Sequence, residues 1–145
     1  MMGISDADTA ENGFADHTNI IVPVSCPVPN REQNAPKLSG GVVVNVLPES
    51  RLAKILGRTR LAEQFFCNYE VDPDYCRRIE SENTGMRIVA RSESGELRGV
   101  EINAHPFYVA TLFQPQLTSV ATGEPHPMIA AYLQSCVSYS VGIRT

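Results

Sequence analysis

No apolar run in this 145-residue chain approaches the ~18 residues needed to cross a bilayer. The start, Met1-Met2-Gly3-Ile4-Ser5-Asp6, lacks the cationic and apolar stretches of a secretory signal. Basic residues are also short: 12 Lys plus Arg stand against 16 Asp plus Glu, for a formal charge of -4. That balance gives no electrostatic footprint for DNA or RNA. Arg51, Lys54, Arg58 and Arg60, just ahead of Phe65 and Phe66, come nearest to one. With the two rings on opposite faces of a strand, the cluster reads as a solvated helix face. Cysteines number four (Cys26, Cys67, Cys76 and Cys136), with no Cys-x-x-Cys, which excludes a dense disulfide framework. They read as buried or half-buried thiols. His17, His105 and His126 stand at no zinc-ligand spacing from them. Asp6-x-Asp8 opens like a calcium loop, but the sixth position is Glu11 where the sharp turn needs Gly. Neither a metal nor a cofactor is expected, nor a nucleic-acid or membrane partner. The expected location is the cytoplasm.

What remains is an ordinary globular composition, 43% hydrophobic and 19% charged, long enough for one domain over residues 1–145. Residues 1–17 are polar and acidic, with a short helix expected near Asp8 to Phe14. Thr18 to Ser25 reads as a strand that Pro23 ends early or confines to an edge. The proline-rich stretch from Cys26 to Ser39 reads as an extended loop. Val42 to Leu47 is a strand, and Leu52, Ile55 and Leu56 mark a helix stopped by Gly57. Gln64 to Val71 should be one continuous strand. Asp72-Pro73 is an N-cap followed by Pro at the first helical position, for a helix running to about Asn83. Met86–Arg91 and Glu96–Asn103 should pair through the turn Ser92-Glu93-Ser94-Gly95. Phe107 to Phe113 is apolar almost throughout, as in a central strand covered on both faces. After a loop, Pro127 opens a last helix with Ile129, Tyr132, Leu133, Cys136 and Val137 at helical spacing. His126 stands just outside it as N-cap, and Tyr132 and Tyr139 read as packing residues. Alternating strands and helices favour an α/β sheet with helices on its faces.

Three stretches add a resemblance. They are Gly85 through Ile102, His105-Pro-Phe-Tyr-Val-Ala-Thr-Leu-Phe113, and Pro125-His-Pro-Met-Ile129, together with Tyr69-Glu70-Val71. Over residues 60–135 the chain resembles the C-terminal half of a class I glutamine amidotransferase domain, nearest the glutaminase region of CTP synthase and the short bacterial proteins named after it. The resemblance implies a flavodoxin-like α/β fold, incomplete at the N-terminus, with the nucleophile strand lying before Met1. Missing strands would leave a sheet edge free to pair with a second copy or a partner protein.

In that family a Cys on a Gly-x-Cys-x-Gly turn attacks the glutamine amide. A Phe-His-Pro-Glu element supplies the base and its orienting carboxylate. Here the element reads Phe113-Gln114-Pro115-Gln116, so carboxamides occupy both positions. An arginine before the family's Tyr-Glu holds the substrate carboxylate. Asn68 precedes Tyr69-Glu70 here, and the bidentate cation is lost. No cysteine of the 145 residues lies in a Gly-x-Cys-x-Gly turn. The expectation is a degenerate domain that does not hydrolyse glutamine. It would bind a small amide or amino-acid ligand or a protein. The alternative is an enzyme of altered amide or C–N chemistry, using an upstream nucleophile or Cys67 paired with His105.

Overall fold

The computed structural model describes residues 3–13, 18–24, 39–66 and 68–143. The elements in chain order begin with β1 (Ala7–Thr9), a 3-10 turn (Ala10–Asn12), β2 (Thr18–Pro23), β3 (Ser39–Val46), α1 (Arg51–Leu56) and β4 (Arg60–Phe66). They continue with β5 (Tyr69–Val71), α2 (Pro73–Ser81), β6 (Met86–Ser92), β7 (Leu97–Ile102), β8 (Val109–Thr111), α3 (Pro115–Thr122) and α4 (Pro127–Ile143). They form a five-stranded sheet in the order β4-β3-β6-β7-β8 and a three-stranded sheet in the order β1-β2-β5. Every pairing in the larger sheet is antiparallel. Among the described residues, the parallel character that the resemblance implies is confined to β1 and β2. No helix among them is long and apolar enough to cross a membrane.

The helix signals act where expected. Ser50 Oγ accepts from Ala53 N–H at 2.9 Å, and Gly57 leaves α1 at φ 67, a left-handed conformation that favours glycine. Asp72 Oδ1 accepts from Asp74 N–H at 2.8 Å and starts α2, which ends at Glu82, before Gly85. The β6–β7 hairpin closes through Ser92 and Glu96, whose backbones pair at 2.9 Å. Hydrogen bonds from Ser92 and Ser94 to its carboxylate hold the Glu96 carboxyl below the usual range.

Four expectations are corrected. The stretch 64–71 is not one strand: the chain leaves the large sheet after Phe66 and joins the small one at Tyr69. Only Val109–Thr111 of the run 107–113 is a strand, and it lies at the edge rather than the centre. The Arg51 guanidinium donates to the carbonyls of His105 and Pro106, both at 3.0 Å, and keeps that segment in a loop. Residues 115–122 are a helix, not a loop, with Pro115 at its start and Gly123 (φ 74) at its end. Near the N-terminus, the expected helix is a strand followed by one 3-10 turn. The expected loop 26–39 lies almost wholly outside the described residues.

The core sits where α1 and the start of α4 meet the large sheet: Val44, Val46, Leu52, Ala53, Leu56, Val89, Ala90, Phe113 and Met128. Ile88 pairs with Val100 and Ala90 with Gly99, so β6 carries an extra residue, Val89, and bends there. Gly99 lets α1 approach the sheet. A Cβ built there meets Ala90 Cβ at 3.1 Å and Leu52 Cδ2 at 3.3 Å. Neither neighbour can give way, because Ala90 has no rotamer and Leu52 is fully buried. Gly99→Ala should therefore destabilise the fold by roughly 1–3 kcal/mol, through overpacking rather than backbone strain. Urea denaturation reads this as a lower midpoint at unchanged slope.

Candidate functional site

The resemblance implies that the family's base and carboxylate positions fall at Gln114 and Gln116, at the start of α3. The structure carries that segment past the free edge of β4. Gln114 N–H donates to the Gln64 carbonyl at 2.8 Å, and Gln114 Nε2 donates to the Phe66 carbonyl at 3.3 Å. The Gln114 carboxamide is thus tied to the backbone just where the chain switches sheets. Asn68 follows two residues later, half-buried, its carbonyl accepting from Val24 N–H at 2.8 Å. Tyr69 starts β5, opposite Pro23. Gln114 therefore meets the chain just before the stretch that leads through Asn68 to Tyr69. Gln116 is half-buried on the first turn of α3. Cys67 lies outside the described residues, and so do Cys26 and His17.

His105 belongs to another place. Its Nδ1 accepts from Phe107 N–H at 3.2 Å, and its ring meets Tyr108 edge-on at 5.9 Å. It lines an open groove of about 340 Å³ with Pro106, Phe107, Tyr132, Cys136 and Tyr139. Cys136 is exposed, correcting its reading as a buried or half-buried thiol, whereas Cys76 is half-buried and burial raises its thiol above the ordinary range. No group of three His, Cys, Asp or Glu among the described residues could hold a metal ion.

Beneath α3 lies a polar cluster that sequence reading missed. Glu63 is 2% exposed and His126 is 4% exposed. Glu63 Oε1 stands 2.9 Å from His126 Nε2, and Glu63 Oε2 accepts from Thr118 Oγ1 at 2.8 Å. His126 Nδ1 accepts from Met128 N–H at 3.2 Å. Nδ1 is therefore unprotonated, and Nε2 carries the hydrogen donated to Glu63. His126 is the N-cap of α4, as its place before Pro127 suggests, and also the partner of a buried carboxylate. Strand parity offered the signal, because Leu61, Glu63 and Phe65 share the less exposed face of β4.

A second buried carboxylate, Glu101, begins α1. Its Oε2 accepts from Arg51 N–H at 2.9 Å and Leu52 N–H at 3.3 Å, the unsatisfied donors of a helix start. Both carboxylates direct their oxygens at protein groups. They hold α1, α3 and α4 against the sheet. The Gln114 corner carries no imidazole and no cation on Gln114, Asn68 or Tyr69, so these three can offer hydrogen bonds but no base near neutral pH.

Comparison with known proteins agrees with this architecture. No family model matches the chain. It is 35% identical over 102 residues to CTP synthase of Methylobacterium nodulans, covering 70% of this chain and 18% of that protein. To CTP synthase of Helicobacter pylori it is 32% identical over 95 residues, covering 66% of this chain and 17% of that one. Its fold matches the glutaminase domain of Trypanosoma brucei CTPS, solved with bound acivicin, at a TM-score of 0.78 and 21% identity. That match covers 95% of this chain and 53% of the other. A GMP synthase component from Thermoplasma acidophilum matches at a TM-score of 0.53 and 16% identity, over 77% of this chain and 50% of that one. The chain thus spans under a fifth of the CTP synthases it matches, and about half of each structural neighbour.

The architecture is that of a class I glutamine amidotransferase-like domain. Within that class, the chain is similar in sequence to CTP synthases over about two thirds of its own length, and its fold is that of the CTP synthase glutaminase domain.

Proposed function

We propose that this domain does not hydrolyse glutamine and serves as a binding or interaction module on a glutaminase-like fold. The observation that carries the reading is Gln114. At the position where the resemblance puts the base, a carboxamide donates to the Phe66 carbonyl. A primary amide is not basic near neutral pH and cannot take a proton from a thiol. Gln116 is uncharged, so it gives no electrostatic support in place of the family's carboxylate. A ligand for this corner is a neutral hydrogen-bonding group, such as an amide, rather than an anion.

The same substitutions remove the means of gripping glutamine. Asn68 offers a carboxamide where a guanidinium would make two charge-assisted bonds to the substrate's α-carboxylate. Titrating the chain with L-glutamine while following its backbone amide resonances tests this. No saturable shift at Asn68 or Gln114 is expected with glutamine up to about 10 mM. Saturation of both with a dissociation constant below about 1 mM contradicts the reading.

A further inference from the structure

Three of the helices are fastened by apolar side chains. Leu52, Ala53 and Leu56 are buried on α1, Ile79 on α2 and Met128 on α4. Tyr132 and Tyr139 further along α4 are each more than half exposed, which corrects their expected packing role, but Met128 still pins its start in the core. α3 buries no side chain, and from Gln114 to Pro125 every residue is half-buried or exposed. Its large apolar residues point outward, Leu117 at 36% exposure and Val120 at 82%. Hydrogen bonds tie the segment down instead. Gln114 donates to the Gln64 and Phe66 carbonyls, Thr118 Oγ1 donates to Glu63 Oε2 at 2.8 Å, and His126 N–H donates to Ser119 Oγ at 2.8 Å. On either side stand two buried residues, Phe113 and His126.

We infer that residues 114–125 form a strap that lifts as a unit from an otherwise folded domain, with Phe113 and His126 as its fixed ends and Glu63 as its latch. The latch is electrostatically costly to keep shut. The Glu63 carboxylate is held by two neutral donors, the Thr118 hydroxyl and the His126 imidazole. Neither α3, α4 nor the neighbouring strand β3 carries a Lys or Arg to balance it. Closing the strap takes that charge out of water, and lifting the strap returns it, so hydration offsets part of the bonds lost. An eight-residue helix with no buried apolar side chain adds little to hold it. Lifting frees the Gln64 and Phe66 carbonyls on the edge of β4 together with the Gln114 carboxamide. In the closed state Gln114 therefore occupies the Phe66 carbonyl that an amide ligand would use. Control of ligand binding at Gln114 by this motion rests on the proposed binding role; the motion itself does not.

Native-state hydrogen exchange of the full chain, in urea below the unfolding transition, tests this. The amides of Gln114, Ser119 through Gly123 and His126 should exchange together, with protection at least about 100-fold weaker than that of Val44 and Val46. Their rates should be almost independent of urea, because lifting the strap exposes little surface. Thr118→Val keeps the shape and removes a donor to Glu63, so it should speed exchange across the strap about 10-fold or more. Gly99→Ala weakens the core and leaves the strap's bonds alone. It should speed exchange at Val44 and Val46 about 5-fold or more and change the strap by less than about 2-fold. Strap amides that share the core's urea dependence in the unaltered chain overturn the inference. So does equal acceleration of strap and core by Gly99→Ala, or a strap indifferent to Thr118→Val. Fast exchange confined to residues 120–123, with Gln114 and His126 as slow as the core, shows fraying of one helix end and overturns it equally. None of these readings uses a ligand, so failure of binding at Gln114 and failure of the motion are told apart.

Discussion

Replacing His126 by Ala should destabilise the domain by about 2–4 kcal/mol, a large fraction of the roughly 5–15 kcal/mol typical of a domain this size. The imidazole has two bonds to lose, and they differ in consequence. Its Nδ1 caps α4 through Met128 N–H, a contact worth about 1 kcal/mol. Its Nε2 holds the Glu63 carboxylate, which is 2% exposed and also accepts from the Thr118 hydroxyl. Leaving that charge buried without the imidazole is the dominant cost. Two comparisons separate the terms. Glu63→Gln keeps an oxygen to accept from Nε2 and removes the charge, so it should cost less than about 1 kcal/mol. Added to His126→Ala, the same change should recover at least about 1 kcal/mol, because no buried charge is then stranded. Urea midpoints of the three variants measure this. A cost under about 1 kcal/mol for His126→Ala, or no recovery in the double variant, contradicts the assigned pair.

The elements with local chemistry were legible in the sequence, and those set by distant partners were not. Ser50, Gly57, Asp72-Pro73 and the Ser92–Glu96 turn mark ends that form from neighbouring residues, and each appears where its signal stands. α3 carried such a signal too, Pro115 at its start and Gly123 at its end, but its short apolar pattern did not stand out. The run 107–113 shows the opposite case. Its composition suits a buried strand, yet Arg51, more than fifty residues upstream, pins His105 and Pro106 in a loop. The switch of sheets between Phe66 and Tyr69 has no glycine or proline to announce it. Glu63 and His126 are 63 residues apart, and nothing short of the fold brings them together. At the Gln114 corner the residue types were readable through the resemblance. That Gln114 reaches the Phe66 carbonyl was not, because β4 and α3 meet only in three dimensions.

The larger expected effect is on chemistry. A positioned general base contributes about 10²–10⁴ in rate, and the family's reaction needs one to free the thiolate and to protonate the leaving ammonia. Gln114 offers an amide oxygen and an N–H group already given to the Phe66 carbonyl, and neither changes protonation state near neutral pH. The loss does not depend on which thiol attacks. Whichever cysteine attacked, the side chain at position 114 would be a neutral carboxamide. His105 is held elsewhere, beside Tyr108 and Phe107, and His126 is fully engaged by Glu63 and Met128. Neither of these two imidazoles stands at the Gln114 position. The decisive measurement is ammonium release from glutamine labelled with ¹⁵N at its side-chain amide, followed by NMR in the presence of the purified chain. No ammonium above the buffer control is expected between about pH 5 and 9. Release that grows with protein concentration and saturates with glutamine contradicts the assignment of Gln114 as an inert replacement for the base.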